Sequence, residues 1–356
     1  MKKSYLILED GSVFEGLQIG ADGTTVGELV FTTGMTGYLE TLTDPSYYGQ
    51  IVIQTFPLIG NYGVIEEDFE GKTAVKGYIV REVCDTPSNF RNQYELDKFL
   101  KSQNICGLCG VDTRQLTKLI REQGVMNAMI SDTVPEDLEV IKSYSVTDAV
   151  KNVSCKEIQV FPPEKNKIFS VVLIDYGAKK NIIRSLCKRG CEVIVVPHNT
   201  SGENILALKP DGIMLSNGPG DPTENTFCIE QIKKLLGKLP IFGICLGHQL
   251  TALAAGGETV KLKYGHRGAN QPVKDVGGSR TYITSQNHGY AVVSESLKGK
   301  AELTFINAND GSCEGLSYPD KNCFTVQFHP EACAGPKDTD FLFDRFINIM
   351  GGKENA

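Results

Sequence analysis

The apolar and polar positions of roughly the first 150 residues form short strand-like runs broken by turn residues. Tyr5–Leu8 and Ser12–Ile19 flank Asp10-Gly11, a hairpin signal, and Gln50–Phe56 is a further apolar strand. Between them lies Gly34–Gln50, which is too long and too sparsely charged for an ordinary surface loop and is expected to pack against other structure. Asp112-Thr113 has the form of a helix N-cap. After it Leu116, Leu119 and Ile120 share one face of Arg114–Gln123, and Gly124 ends the run. The spacing Thr133-x-x-Glu136 predicts another capped helix, with Pro135 in its first turn and its end at Lys142. Strands and helices that do not alternate predict an α+β domain, and no cofactor motif occurs in it.

Past Pro162-Pro163 and Lys165-Asn166-Lys167 the pattern changes to regular strand and helix alternation. Phe169–Asp175 is an apolar strand, Lys179–Lys188 a helix ended near Gly190, and Glu192–Val196 and Gly212–Leu215 are strands. Asn225–Leu236 is a helix, and Pro240–Leu250 (P-I-F-G-I-C-L-G-H-Q-L) passes from a strand into helical spacing at Cys245. A β-rich stretch follows, then Phe324–Phe328 and a last helix over Asp338–Met350. The expected organisation is an N-terminal α+β domain over residues 1–150, a polar linker over 151–167, and an α/β domain over 168–356 built on a doubly wound, mostly parallel sheet. Ligands of such sheets bind outside the carboxyl ends of the strands, where both Asn217–Pro222 and Cys245 fall.

Composition narrows the class without naming a chemistry. With 356 residues, 41% hydrophobic and 22% charged, the chain can build two cores as a soluble globular protein. The net charge of −7 lies in no long acidic run, and no basic cluster suggests nucleic acid or an anionic membrane. After Lys2-Lys3 the apolar run stops at Glu9, too short for a signal-peptide core, and no stretch is long enough to span a bilayer. Eleven cysteines without regular spacing are expected to be free thiols in a reducing cytoplasm. Cys106-x-x-Cys109 lacks the second pair of a zinc site, so no metal is expected.

Gly243-x-Cys245-x-Gly247 resembles a nucleophile elbow, in which small residues let a strand turn sharply into a helix. A helix starting after Cys245 would favour its thiolate. The base could be His248 or His329. Three residues into the helix His248 should point away from the corner, whereas His329 precedes Pro330 at a strand end with Glu331 in reach of its ring. His198 and His266 have no such context. Gly218-Pro219-Gly220 could be a rigid turn or a phosphate cradle, but lacks the Walker lysine. The preferred alternative is an oxyanion hole formed with the amide of Leu246.

S-N-G-P-G-D-P, G-I-C-L-G-H-Q, S-Q-N-H-G-Y and F-H-P-E-A occur in the order found in class I glutamine amidotransferases, which the chain therefore resembles. In the first half, G-E-L-V-F-T-T-G-M-T-G-Y-L-E-T-L-T-D-P-S-Y, F-P-L-I-G-N-Y-G and G-V-D-T-R-Q-L-T are similar to the small-subunit family of carbamoyl phosphate synthetases. The resemblance implies a triad of Cys245, His329 and Glu331. It also implies an L-glutamine site at Ser46, Gly218, Gly220, Leu246, Gln249, Asn287, Gly289 and Tyr290, with Ser46 supplied by the first domain. Ammonia would pass to a large synthetase subunit, which would hold the ATP and Mg²⁺, so that this chain needs no cofactor. The product would serve arginine or pyrimidine biosynthesis. Tyr290 for the usual Phe, Cys333-Ala334 for Ser-Pro and Gln271 for His are the departures, and none touches the triad. A non-catalytic subunit that only senses glutamine is the alternative. A cysteine peptidase is a third reading, opposed by Gln249 and the 287–290 stretch.

Overall fold

A computed structural model describes residues 2–352. The chain divides into two compact units, with the division after Thr147.

In the first unit seven strands close into a barrel in the order β1-β2-β8-β6-β4-β3-β9. They are β1 (Lys3–Leu8), β2 (Val13–Gly20), β3 (Thr25–Thr32), β4 (Gln50–Gln54), β6 (Gly77–Ile79), β8 (Cys106–Cys109) and β9 (Met126–Ser131), and a separate pair is β5 (Leu58–Ile59) with β7 (Glu82–Val83). The hairpin at Asp10-Gly11 is present, with Ile7 opposite Val13. Gly34–Gln50 folds into α1 (Tyr38–Thr43) and a 3₁₀ turn, Pro45–Tyr47. Its Tyr38, Leu39, Leu42 and Tyr47 join Val30, Val52 and Tyr78 in one apolar cluster, which accounts for a long segment with few charges. The helix α2 (Leu96–Ser102) adds Phe99 and Leu100 to that cluster. Cys106 and Cys109 are three apart on β8, so their side chains leave opposite faces and do not form half a metal site.

Asp112 caps α3 (Thr113–Gln123) by accepting a 2.9 Å hydrogen bond from the Gln115 amide, and Gly124 ends it at a φ of 105°. Asp112→Ala is expected to cost about 1 kcal/mol of stability, measured by urea denaturation of the full chain. An unchanged midpoint would show that the cap contributes nothing. The helix expected from Thr133 to Lys142 is reduced to one turn, α4 (Glu139–Lys142). Asp137 takes the Glu139 amide in a local cap, 2.9 Å, and the Thr133 amide bonds the Ser131 hydroxyl, so the capping box never closes. Helix begins only where Leu138 and Ile141 reach Ile7 and Met129.

The second unit holds one ten-stranded sheet in the order β10-β12-β11-β13-β14-β19-β18-β17-β15-β16. Its strands are β10 (Gln159–Phe161), β11 (Phe169–Asp175), β12 (Cys191–Pro197), β13 (Gly212–Leu215), β14 (Ile241–Ile244), β15 (Glu258–Asp275), β16 (Thr281–Val293), β17 (Glu302–Asn307), β18 (Cys313–Tyr318) and β19 (Cys323–Val326). Five strands, β12-β11-β13-β14-β19, are mutually parallel, and the rest add antiparallel. The sheet is therefore mixed rather than mostly parallel, because the β-rich stretch after Cys245 continues it instead of forming a separate layer. The stretch 151–167, whose polar sequence predicts a linker, instead carries the end of α5 (Ala149–Val153) and the edge strand β10, paired to β12.

Alternation along β11 explains the helices on both faces. Val172 and Ile174 pack toward α8 (Thr226–Leu235) and α9 (Leu246–Ala254), with α7 (Gly202–Ala207) beside them through Ile205. Val171 and Leu173 pack toward α6 (Lys180–Lys188) and α10 (Phe341–Met350). The last helix starts at Phe341 rather than Asp338, and the bonds Leu342 N–Thr339 O and Phe343 N–Asp340 O make its entry a tight turn.

Candidate active site

Three neighbouring parallel strands, β13, β14 and β19, deliver the groups that matter at their carboxyl ends. Cys245 is the corner between β14 and α9, at φ 53° and ψ −104°, a region that costs a side-chain-bearing residue strain. The glycines flanking it are steric necessities. A Cβ on Gly247 would sit 2.5 Å from the Leu215 carbonyl oxygen, and one on Gly243 would sit 3.0 Å from the backbone of Gly247. The corner is anchored by the Cys245 amide on the Val326 carbonyl, 2.8 Å, and the Gly247 amide on the Ser216 carbonyl, 3.0 Å. Leu246 is the first helical residue, so its N–H has no acceptor within the helix and is available to a ligand.

His329 follows β19, its amide held by the Ser285 carbonyl. Its Nδ1 is 2.7 Å from Glu331 Oε1, and both side chains are shut off from solvent. Nε2 is buried without a conventional hydrogen bond, and the Cys245 thiol is among the groups acting on the ring. Burial and the nearby Lys179 ammonium push the pKa of His329 down, but the Glu331 carboxylate and a hydrogen bond to the Cys245 sulfur outweigh them and raise it to about 9. Burial likewise opposes ionisation of Glu331, yet the facing His329 and Lys179 hold it below the usual carboxylate range. Both shifts favour the imidazolium–carboxylate form of the pair. Cys245 Sγ lies 3.7 Å from the Asn287 carbonyl oxygen, which places β16 over the corner.

The loop after β13 is interlocked with the loop after β11. The Ser216 hydroxyl accepts from the Tyr176 amide, 2.9 Å, and Asn217 Oδ1 accepts from the Lys179 amide, 3.1 Å. Gly218 must be glycine, since a Cβ would lie 2.3 Å from the Tyr176 carbonyl oxygen and 2.8 Å from Leu246 Cδ2. The same contact puts Gly218 beside Leu246. Gly220 has a φ of 87° and packs on Ala149. Gln249, buried on α9, donates Nε2 to the Tyr290 carbonyl at 2.8 Å and to Gln327 Oε1 at 2.9 Å, which leaves its Oε1 as the acceptor for a ligand. Gly289 and Tyr290 continue β16, with Gly289 close to the Arg267 guanidinium. Ser46 lies in the first unit, buried in the 3₁₀ turn with its amide on Asp44.

Lys179 was missed by the sequence argument. Its Nζ is 3.4 Å from His329 Nδ1 and 3.8 Å from Glu331 Oε1, although Lys179-Lys180 looks in sequence like a solvated helix start. The usable signal was position: it falls in the loop after β11, on the same sheet edge as the Cys245 corner. Gln327, which fixes Gln249, had no signal of its own. His248 is fully buried with Nδ1 on Thr325 Oγ1 at 2.8 Å, and burial lowers its pKa to about 3, so it packs as a neutral ring away from the corner. Among the described residues one group of metal-ligand types comes together, His266, His288 and Glu314. Its atoms are engaged with one another and with Asp310, Asn307 and the Tyr290 carbonyl, so a cation would have to displace an existing network.

Residues 172–349 match the family Glutamine amidotransferase class-I, and residues 6–130 match Carbamoyl-phosphate synthase small chain, CPSase domain. The carbamoyl phosphate synthase small chain of Listeria monocytogenes serotype 4b is 51% identical over 362 residues, covering 100% of this chain and 99% of that protein. Those of Oceanobacillus iheyensis and Bacillus anthracis are each 52% identical, over 98% of this chain and 96% of theirs.

Proposed function

This chain belongs to the carbamoyl-phosphate synthase small-chain family, and on that premise we propose that it hydrolyses L-glutamine at Cys245 and delivers the ammonia to a large synthetase subunit. It is a glutamine-hydrolysing subunit of a ligase. The observation that carries the chemistry is Cys245 on a strained corner, with the His329–Glu331 pair on the adjoining strand end.

The Cys245 thiolate attacks the side-chain carbonyl carbon of glutamine, and the oxyanion is met by the amides of Leu246 and Gly218. As the C–N bond breaks, the His329 imidazolium gives its proton to the departing nitrogen and ammonia leaves. A glutamyl thioester remains. Neutral His329 then takes a proton from water, whose oxygen attacks the thioester carbon, and the C–S bond breaks to release glutamate and restore the thiolate. Glu331 keeps the ring oriented and stabilises its charged form. Gln249, Gly220, Asn287, Gly289 and Tyr290 shape the glutamine pocket, and Ser46 is added to the substrate set by the family resemblance alone.

The large subunit holds ATP and Mg²⁺ and makes carbamoyl phosphate from bicarbonate and ammonia, while this chain works without a cofactor. No helix among the described residues is long and apolar enough to cross a membrane. Eleven free cysteines support a cytoplasmic home. A subunit that only sensed glutamine would need neither the strained nucleophile nor its base.

The test is to purify the chain with its large subunit and to follow carbamoyl phosphate from bicarbonate and ATP. Glutamine should replace ammonium as nitrogen source; an intact complex that uses ammonium alone overturns the proposal. A second expectation concerns pH. Because the proton donor is the raised imidazolium, turnover should decline as pH rises past about 9. Glu331→Gln removes the carboxylate that raises the pKa and should move that alkaline limb to lower pH, measured as kcat against pH. A limb left in place would take His329 out of the proton-donor role.

A further inference from the structure

Behind the pocket-lining stretch of β16 lies a buried polar cluster that the proposed chemistry leaves unused. His266, on β15, is opposite His288 on β16. Its Nε2 is 2.9 Å from Asp310 Oδ2 and its Nδ1 is 3.5 Å from Glu314 Oε1, so the ring is clamped between two carboxylates. Glu314 is fully buried, and Asn307 donates to its Oε1 at 3.1 Å. Burial works against charge on both groups, yet the two carboxylates raise the pKa of His266, while burial leaves that of Glu314 raised. A pair this deep is costly to keep, and losing one partner would leave a buried charge uncompensated.

The cluster ends on the pocket. The rings of His266 and His288 meet at 89° with centroids 4.9 Å apart, so the clamped ring limits how the second can turn. His288 is neutral in its buried place, its pKa driven well down by burial. Both its ring nitrogens face oxygens, Nδ1 the Tyr290 carbonyl at 2.7 Å and Nε2 the Gln286 Oε1 at 3.0 Å, so a neutral ring donates to one of them at a time. The Tyr290 carbonyl also accepts from Gln249. One carbonyl therefore joins two glutamine-pocket residues to the cluster behind them.

We propose that His266 and Glu314 are positioning residues for glutamine binding, which hold the His288 ring so that the Tyr290 carbonyl and Gln249 are set before substrate arrives. The proposal rests on the glutaminase reading above. Neither residue touches substrate; they act through His288 on the 287–290 segment. Preorganisation of this kind appears in substrate binding more than in the chemical step, because the Cys245–His329–Glu331 geometry is built on other strands.

The experiment uses the complex with the large subunit and compares wild type with Glu314→Gln and His266→Asn. Loss of the clamp should raise KM for glutamine about 3- to 10-fold, the scale of one neutral hydrogen bond, with kcat nearly unchanged. In the isolated chain, the imidazole ¹⁵N spectrum of His288 should show a changed balance of its Nδ1–H and Nε2–H forms. A lowered unfolding temperature with KM and the His288 signal both unmoved would reduce the cluster to structure and overturn the proposal. Should both variants fail to fold, Asp310→Asn, at the more exposed carboxylate, should shift KM in the same direction by a smaller factor; an unshifted KM there also overturns it. Wild-type complex unable to hydrolyse glutamine would instead refute the glutaminase reading. The His288 spectrum would then still decide whether the clamp orients that ring.

Discussion

Cys245→Ser is expected to lower glutamine-dependent synthesis on the order of 10⁴-fold, the scale of losing one member of a nucleophile–base–acid set, while synthesis from ammonium salt continues. Serine is nearly isosteric and can occupy the corner, so β14, α9 and the pocket should persist. A hydroxyl, however, is far harder to ionise than a thiol, and the attack on the amide carbon is what fails. Ammonia from solution bypasses the chain altogether because the synthetic chemistry lies on the large subunit. The two nitrogen sources therefore serve as internal controls for each other. Loss of both would point to a broken complex, and retention of both would mean that Cys245 is not the nucleophile.

Gly218→Ala should produce the second-largest effect, on the order of 10² to 10³ in glutamine turnover, through geometry alone. The added Cβ would lie 2.3 Å from the Tyr176 carbonyl oxygen, a backbone atom tied in place by the bond from the Tyr176 amide to Ser216. The 216–222 loop must move, and with it the amide proposed to meet the oxyanion together with that of Leu246. The substitution adds no charge and leaves the triad residues themselves unchanged, so ammonium-dependent synthesis and association with the large subunit should stay near wild type. Turnover within a few-fold of wild type would remove Gly218 from the oxyanion site.

How much of this was legible in the sequence depended on how local the cause was. Asp112 with Gly124, the Asp10-Gly11 hairpin and the Gly243-Cys245-Gly247 corner are each set by a few neighbouring residues, and each is found in the fold. The Thr133–Lys142 helix failed for the same local reason that the others succeeded: Asp137 offered its carboxylate to the backbone first. Closure of the barrel was not legible, since β9 meets β1 across more than a hundred residues and alternating strands look alike in a sheet or a barrel. The mixed sheet escaped for a similar reason, as antiparallel extension depends on which strand the β-rich stretch finds. Lys179, Gln327 and the His266–Glu314 pair became visible only when the fold brought distant residues together. The resemblance of the chain to its family named the triad and the glutamine set, whereas the clamp behind the pocket came from distances alone.

The covalent intermediate is the most direct measure of the central claim. Wild-type complex mixed with glutamine and quenched in acid within the first turnovers should yield a peptide containing Cys245 that carries one glutamyl group, detected by mass spectrometry and absent from Cys245→Ser. Modification at another residue, or active turnover with no adduct on Cys245 under conditions that preserve thioesters, would contradict the account.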